Sequence, residues 1–333
     1  LDLLKNISKK TNISILLITH NLAVVSYICS RVYVMFEGKT IESGESKNFF
    51  SRPQHEYTKK LLNASKQIEN SKFYSNHEIN KILNVENLNK NFNLPGSNEP
   101  LKAVNDLSFS LNEGEIFGIA GESGSGKTTV ANLLMGLLEV NSGKITFINK
   151  EINQYLKYEK KNFRKNIQMV FQDPYGSLNP RKTIGTTLSL AIKIHFKLSE
   201  DEIKNKVFEL LEKVELTPPE VFYERHPHEL SGGQQQRVAI ARAISTEPKL
   251  IISDEAVASL DMSIRSEILK LLKKINIETK VSMIMISHDL SVLKNMCNRI
   301  AIMHLGKIVE IGDKEKILGS PQHNYTKKLI IVK

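Results

Sequence analysis

Nine residues beginning at Gly121 constrain the fold more than any other stretch of this 333-residue sequence, because the first eight fit the pattern G-x-x-x-x-G-K-[ST]. A short, unbroken apolar run, Ile116-Phe-Gly-Ile-Ala120, comes before them and is typical of a strand buried in a parallel sheet. The residues that follow predict a helix with one apolar stripe: Val130, Leu133, Leu134, Leu137 and Leu138. The order of strand, glycine-rich turn and helix therefore predicts an α/β fold.

The chemistry of this loop favours binding of the phosphates of a nucleotide. Its glycines allow backbone N–H groups to curl around phosphate oxygens, and the start of the helix adds a partial positive charge. Lys127 is placed to reach the β- and γ-phosphates, and the hydroxyl of Thr128 to bind Mg²⁺. The alternative is a glycine-rich turn that holds no ligand. The predicted loop consists of Gly121, Glu122, Ser123, Gly124, Ser125, Gly126, Lys127, Thr128 and Thr129.

An internal repeat is the second large feature of the sequence. Residues 1–62 align without a gap to residues 269–330, at a constant offset of 268, and 26 of these positions are identical. Ile18-Thr-His20 matches Ile286-Ser-His288, and Pro53-Gln-His-Glu-Tyr57 matches Pro321-Gln-His-Asn-Tyr325. A period this long indicates duplicated domains rather than a solenoid, whose repeats are about 20–50 residues long.

The repeat divides the chain into a partial and a complete domain. Residue 1 already corresponds to Leu269, deep inside the second copy, so we expect residues 1–62 to be the C-terminal remnant of a first domain. Residues 63–80 are polar without an apolar period and predict a linker, and residues 81–333 predict the second domain. Because the chain also begins with Leu, we expect it to be the C-terminal part of a longer two-domain protein or the product of a broken gene.

Strand and helix patterns outline the second domain. Alternating apolar residues at 82–88 and a further run at 103–111 predict a small antiparallel layer beside the nucleotide-binding sheet. Residues 144–148, 167–171, 250–253 and 281–287 predict further strands. From residue 181 to about residue 230, helical spacing replaces these strand signals, which favours an inserted helical subdomain.

Composition narrows the possible partners. The net charge is +10, yet the lysines are scattered without a dense basic block or interleaved aromatic residues, so we expect no nucleic-acid partner. Apolar runs stay shorter than the roughly 18 residues that a membrane span needs. Two cysteines, Cys29 and Cys297, are too few for a four-ligand metal site within the chain.

A second short motif, Leu230-Ser-Gly-Gly-Gln234, lies downstream of the loop. Ser231 and Gln234 have the spacing of a capping box, so Ser231 is expected to begin a helix. Two glycines in its first turn leave the helix end bare, which suits contact with a phosphate. An ordinary capped helix is the alternative, but it does not explain why two glycines are accepted at about 1 kcal/mol each relative to alanine.

The order of these motifs resembles that of the ATP-binding subunits of ABC transporters: the loop, LSGGQ, an acidic pair after a strand, and a histidine after the next strand. The resemblance covers residues 81–333 in full, and residues 1–62 as the tail of a second such domain. It implies an ATPase with the P-loop NTPase fold, which is α/β with a mixed sheet core. It further implies the small antiparallel β layer and the inserted helical subdomain, with the remnant of a second such domain ahead of them.

The resemblance also implies roles for individual residues. Asp254 holds Mg²⁺ through water, and Glu255 is the general base that polarises the attacking water; a structural salt bridge is the alternative for either carboxylate. His288 forms a hydrogen bond to the γ-phosphate, unless it is a plain surface or core histidine. Gln172 contacts both Mg²⁺ and the attacking water, beside the membrane partner.

Other implied roles lie at the adenine and at a partner domain. Phe92 stacks on adenine, with core packing as its alternative. Asp261 belongs to the loop that crosses to the opposite subunit. ATP in one domain is capped by the signature residues of another, which here are Ser231, Gly232, Gly233 and Gln234. Such domains therefore act as a pair, formed by two copies or with a separate chain.

A finer resemblance concerns the transported cargo. The segment Gln172-Asp-Pro-Tyr-Gly-Ser-Leu-Asn-Pro-Arg181 and the two Pro-Gln-His-x-Tyr-Thr tails resemble importers of oligopeptides, dipeptides and glutathione, with nickel importers as near relatives. The expected partners are transmembrane permease subunits and, indirectly, a substrate-binding protein. The expected location is peripheral, on the cytoplasmic face of the inner membrane. The alternatives are an ABC ATPase that is not part of a transporter and a catalytically silent, truncated interaction fragment.

Overall fold

The computed structural model describes residues 7, 10–11, 13–19, 22–64, 80–93, 99–258 and 260–331. The chain divides into two compact units, one of Leu1–Ser71 with Asp261–Glu267 and the other of Lys72–Leu260 with Ile268–Lys333. Most of the segment predicted as a linker lies outside the described residues, and so does His20, which the repeat aligns with His288.

The first unit contains a small antiparallel sheet and short helices. Its strands β1 (Arg31–Phe36) and β2 (Lys39–Glu45) pair antiparallel. Its helices are α1 (Leu22–Ile28), α2 (Ser46–Phe49) and α3 (Glu56–Ala64). The buried cluster that holds them together consists of Val25, Val32, Val34 and Phe49.

The second unit begins with the antiparallel layer. Its strands are β3 (Lys81–Phe92), β4 (Leu101–Asn112), β6 (Ser142–Phe147) and β7 (Lys150–Glu151), in the order β4-β3-β6-β7. The layer predicted from the alternating apolar residues is therefore confirmed. Phe109 of β4 stacks on Phe117 of the central sheet with the ring centroids 5.2 Å apart, so the layer packs against that sheet.

The central sheet of the second unit is mixed, as predicted. Its strands are β5 (Ile116–Ala120), β8 (Ile167–Val170), β9 (Leu250–Asp254), β10 (Ser282–Ser287), β11 (Arg299–His304) and β12 (Lys307–Asp313). Their order is β12-β11-β5-β10-β9-β8; β12 pairs antiparallel with β11, and the other pairs are parallel. β5, β9 and β10 are buried along their whole length, which explains their nearly continuous apolar sequences.

The helix after the loop, α4 (Lys127–Leu134), is shorter than the apolar stripe suggested. Val130, Leu133 and Leu134 are buried as predicted, but Leu137 is 54% exposed and lies beyond the helix. The reason is a glycine C-cap: Gly136 has a φ of 60°. The N–H groups of Gly136 and Leu137 return to the carbonyls of Leu133 and Asn132, which ends the helix.

The inserted helical subdomain predicted between strands is confirmed and lies between β8 and β9. Short helices α5 (Ile152–Tyr158) and α6 (Lys160–Asn166) come before β8, and α7 (Pro174–Ser177) follows it. The subdomain is formed by α8 (Ile184–His195), α9 (Glu200–Lys213), α10 (Pro219–Glu224) and α11 (Gly232–Ile244). The remaining helices are α12 (Met262–Thr279), α13 (Leu290–Met296), α14 (Lys314–Gly319) and α15 (Asn324–Ile331).

Candidate functional site

The glycine-rich loop leaves β5 and enters α4 in the expected setting, and two of its glycines have no room for a side chain. A Cβ at Gly121 would lie 2.3 Å from the carbonyl oxygen of Met303. A Cβ at Gly126 would lie 2.1 Å from the carbonyl oxygen of Ala103, and Gly126 has a φ of 102°. The loop backbone is therefore held tightly between neighbouring segments, and glycine is required at both positions.

Lys127 lies inside the curl of this loop and is only 5% exposed. Its ammonium group donates hydrogen bonds to the carbonyl oxygens of Gly121, over 2.9 Å, and Glu122, over 2.7 Å. Burial lowers the pKa of Lys127, while the carboxylates of Glu255, Asp254 and Glu122 oppose that shift. The loop carbonyls thus hold a desolvated cation in the place where the pattern predicts contact with phosphate.

The carboxyl ends of the parallel strands bring the other predicted residues to one edge of the sheet. Asp254 ends β9, Glu255 follows it, and His288 follows β10, which lies between β5 and β9. Gln172 follows β8, one strand beyond β9, and its side chain is exposed. Ligands of open parallel sheets bind at this edge, so the topology supports the prediction that these residues share a site.

Asp254 carries a buried carboxylate whose Oδ1 atom has no hydrogen-bond partner in the described structure. Burial raises the pKa of Asp254, a hydrogen bond from Thr128 lowers it, and the charge of Glu255 raises it further. A carboxylate beside a hydroxyl offers the hard oxygen ligands that Mg²⁺ prefers. The unpartnered oxygen therefore fits a divalent cation held between Thr128 and Asp254.

Glu255 and His288 form a direct pair that sequence reasoning did not predict. The Nδ1 atom of His288 lies 3.0 Å from Oε1 of Glu255. Glu255 has a φ of 48°, a left-handed conformation, and its N–H donates to the carbonyl oxygen of Ile286 over 3.0 Å. The Glu255 side chain is 19% exposed and that of His288 is 52% exposed. The histidine thus fixes one carboxylate oxygen at the entrance of the site.

Phe92 is the last residue of β3 and is partly exposed rather than part of the buried core. Its ring lies 5.4 Å from the ammonium group of Lys90, a cation–π contact. A partly exposed ring leaves a face for stacking, as the adenine prediction requires.

The signature motif has the predicted capping box. The hydroxyl of Ser231 accepts a hydrogen bond from the Gln234 N–H over 3.3 Å, and the Gln234 side chain accepts one from the Ser231 N–H over 3.0 Å. Ser231 and Gly232 are exposed and Gly233 is buried. The N-terminus of α11 is therefore open to solvent at its first turn. Asp261, immediately before α12, falls within the first unit.

Sequence reasoning did not predict that Tyr325 contacts the loop. The hydroxyl of Tyr325, in α15, accepts a hydrogen bond from the N–H of Glu122 over 3.2 Å. The available signal was the repeated Pro-Gln-His-x-Tyr-Thr segment, which indicated a family but no contact.

Comparison with known proteins gives the family. The family described as ABC transporter matches residues 104–258, and the oligopeptide/dipeptide transporter C-terminal region matches residues 41–91 and 309–332. Within the described residues, no helix combines the length and the apolar character that crossing a membrane requires.

Several relatives and solved structures are similar over most of the chain. The glutathione import ATP-binding protein GsiA of Escherichia coli strain K12 is 37% identical over 359 aligned positions, which cover 99% of this chain and 57% of that protein. The protein of the same name from Shigella dysenteriae gives the same figures. The chain therefore spans little more than half the length of these relatives.

Among solved structures, cbiO1 of Clostridium perfringens, part of the ABC transporter complex cbiONQ, is 32% identical with a TM-score of 0.65. The match covers 72% of this chain and 92% of cbiO1. A dimeric ATP-binding cassette in a post-hydrolysis state, bound to ADP and Pi, is 30% identical with a TM-score of 0.63; the match covers 70% of this chain and 98% of that one. The chain belongs to the family of ABC transporter ATP-binding proteins.

Proposed function

We propose that this chain binds and hydrolyses ATP and thereby powers an importer of oligopeptides, dipeptides or glutathione. The observation that carries the proposal is the convergence of Lys127, Asp254, Glu255 and His288 at the carboxyl ends of the parallel strands of the central sheet. The cargo class is supported by the match of residues 41–91 and 309–332 to the oligopeptide/dipeptide transporter C-terminal region.

The residues at this edge divide the chemistry between them. The loop amides and Lys127 bind the β- and γ-phosphates. On binding, the Lys127 ammonium leaves the carbonyl oxygens of Gly121 and Glu122 and donates to phosphate oxygens instead. Thr128, Asp254 and Gln172 hold Mg²⁺, which when bound neutralises charge on the phosphates. Phe92 stacks on the adenine ring.

Glu255 receives the proton of the attacking water. Its Oε1 atom bonds to His288, which keeps the carboxylate in orientation, and the lone pairs that remain on the carboxylate accept the attacking water. When ATP is bound, the exposed imidazole of His288 also reaches the γ-phosphate.

A complete site needs a second domain. Ser231, Gly232, Gly233 and Gln234 at the open end of α11 cap ATP held by the loop of another domain, and Asp261 lies in the segment that crosses to it. The second domain is another copy of this chain or a separate ABC ATPase. We further propose that residues 1–62 belong to a first ABC ATPase domain, that residues 63–80 form a linker, and that residues 81–333 form a second such domain.

The remaining partners follow from the transporter assignment. Permease subunits contact the region of Gln172 and the helical subdomain, and a substrate-binding protein delivers cargo to those subunits. The chain then lies peripherally on the cytoplasmic face of the cell membrane, and nucleic acid is not a partner.

The test is Mg²⁺-dependent ATP hydrolysis by the wild-type chain, Lys127→Ala and the control Lys144→Ala, with and without peptide-permease subunits in liposomes. Lys144 is an exposed lysine of β6, so its loss leaves the loop intact. We expect hydrolysis by wild type and Lys144→Ala, stimulation by the permease, and almost none by Lys127→Ala. Equal activity in Lys127→Ala would refute the ATP site, whereas hydrolysis that ignores every permease would favour an ATPase outside transport.

A further inference from the structure

The C-terminal helix α15 reaches back to the nucleotide loop through a single side chain. The N–H of Glu122, the second residue of the loop, donates to the Tyr325 hydroxyl over 3.2 Å. Burial raises the pKa of Tyr325, so its hydroxyl is neutral at physiological pH. The same hydroxyl can donate its own proton to the Glu122 carboxylate, an interaction that raises the pKa of Tyr325 further.

Tyr325 is itself held firmly. Its ring stacks on His304 with the ring centroids 3.9 Å apart, and its N–H donates to Nδ1 of His323 over 3.1 Å. The Glu310 carboxylate accepts the N–H groups of Gln322, over 2.9 Å, and His323, over 3.0 Å. A carboxylate that accepts two backbone N–H groups fixes the chain just before α15, and this fixes where the Tyr325 hydroxyl lies.

A second contact from the same C-terminal region holds the other half of the loop. The N–H of Gly306, in the turn between β11 and β12, donates to the carbonyl oxygen of Ser125 over 3.1 Å. Between these two anchored residues lie Ser123 and Gly124, which are exposed, and Gly124 has a φ of 79°. The loop is therefore tied at Glu122 and at Ser125 by residues of the C-terminal region.

The internal repeat provides a comparison for Tyr325, because the first unit contains the same local hydrogen bonds around Tyr57. In the first unit, Glu42 accepts the N–H groups of Gln54 and His55 over 2.7 and 3.0 Å, and the Tyr57 N–H donates to Nδ1 of His55 over 3.1 Å. Tyr57 packs on Phe36 with the ring centroids 4.4 Å apart. These bonds repeat those around Tyr325, but residues 1–62 contain no glycine-rich nucleotide loop. Tyr57 thus lies in the same local surroundings as Tyr325, whereas the hydroxyl that bonds to Glu122 is that of Tyr325.

We propose that Tyr325 is a positioning residue that holds the Glu122 segment of the loop in its nucleotide-binding conformation, so that the C-terminal region sets nucleotide affinity. The inference rests on the proposed function of the loop. Loss of the bond between the Glu122 N–H and the Tyr325 hydroxyl therefore lowers the fraction of loops that are competent to bind nucleotide. Such a loss raises the dissociation constant and KM together and leaves kcat unchanged.

The experiment compares Tyr325→Phe with the matched control Tyr57→Phe in the full chain. Both substitutions remove one tyrosine hydroxyl and keep the ring, at equivalent positions of the repeat. ADP affinity is measured by titration calorimetry, KM and kcat by ATP hydrolysis, and amide exchange of a peptide spanning residues 119–126 by mass spectrometry. For Tyr325→Phe we expect ADP binding about 2- to 10-fold weaker, the range of one net hydrogen bond, with kcat retained and faster exchange. Tyr57→Phe should match wild type in all three.

The outcomes separate this inference from the proposed function. If Tyr325→Phe binds ADP like wild type and its exchange is unchanged, the positioning role is wrong. If kcat falls while KM stays constant, Tyr325 only maintains the folded fraction, and the inference is again wrong. Lys127→Ala in the same titration tests the site itself: unaltered ADP binding there removes the proposed function, whereas its loss beside an unaffected Tyr325→Phe removes only the inference.

Discussion

At the scale of single residues, the ionised carboxylate of Asp254 destabilises the folded, nucleotide-free protein. Its carboxylate is buried, one oxygen has no partner among the described residues, and Glu255 follows it directly. Burial therefore raises its pKa, which means that folding opposes the ionised form. A buried carboxylate that is suited to bind a cation therefore destabilises the folded protein when no cation is bound.

We accordingly predict that Asp254→Asn stabilises the nucleotide-free protein. Because the folded pKa lies above the ordinary value of 3.8, the ionised carboxylate costs stability as pH rises through that range, and the amide avoids this cost. The gain should be about 0.5–2 kcal/mol near neutral pH. Thermal denaturation in EDTA should show the full gain near neutral pH, and the gain should shrink as the pH is lowered towards 3.8.

Two controls accompany that measurement. Asp201→Asn removes an exposed carboxylate from the first turn of α9 and should bring no gain. Addition of Mg²⁺ and ADP should stabilise the wild type but not Asp254→Asn. A variant that is less stable than wild type in EDTA would show that Asp254 is a structural residue and not a prepared ligand.

The Glu255–His288 pair leads to a second prediction at this scale. Glu255→Gln keeps the shape of the side chain and leaves the loop untouched, so ATP binding should persist. Hydrolysis should fall by roughly 10²- to 10⁴-fold, because a general base is lost. Parallel measurements of ATP binding and phosphate release test this, and turnover at the wild-type rate would exclude Glu255 as the base.

At the scale of secondary structure, two α-helices of the helical subdomain, α9 and α11, begin with serine capping boxes that differ in their expected use. Ser199 begins α9 and its hydroxyl accepts the Glu202 N–H over 3.3 Å, as that of Ser231 accepts the Gln234 N–H at the start of α11. Both serines are exposed. Only α11 has two glycines in its first turn, which leaves its end open to an anion.

Ser199→Ala and Ser231→Ala should therefore have similar effects on stability and different effects on activity. Each loses one helix cap, about 1 kcal/mol, measured by chemical denaturation. Only Ser231→Ala also loses a hydrogen bond to a charged phosphate, worth about 1.5–3 kcal/mol, so its ATP hydrolysis should fall about 10-fold or more. Equal rates of hydrolysis by the two variants would show that α11 is an ordinary capped helix whose first turn does not contact ATP.

At the scale of the whole molecule, the proposal places the loop of one copy against Ser231 of another. Specific ATPase activity should consequently rise with protein concentration, because dimers form by mass action. A 1:1 mixture of Lys127→Ala and Ser231→Arg should regain about a quarter of wild-type activity, since half of the dimers would contain one intact site. Concentration-independent hydrolysis by a demonstrated monomer would contradict the paired site.

The sequence by itself determined the elements whose signals are local. The loop, its strand and its helix were recognisable because glycine freedom, an unbroken apolar run and helical spacing all act within about 20 residues. The capping box of Ser231 was predictable for the same reason, and it is present. The stripe through Leu137 was wrong, because the Gly136 C-cap ended the helix before the apolar period did.

Only the tertiary structure decided which of these local features meet. Glu255 and His288 are 33 positions apart, and Glu122 and Tyr325 are 203 apart, so no local sequence pattern predicts either hydrogen bond. Their partners are fixed by the strand order β11-β5-β10-β9, and by the carboxylate of Glu310, which anchors the chain before α15. The unpartnered oxygen of Asp254 also depends on burial by distant segments, because a side chain loses water only when the whole sheet closes around it.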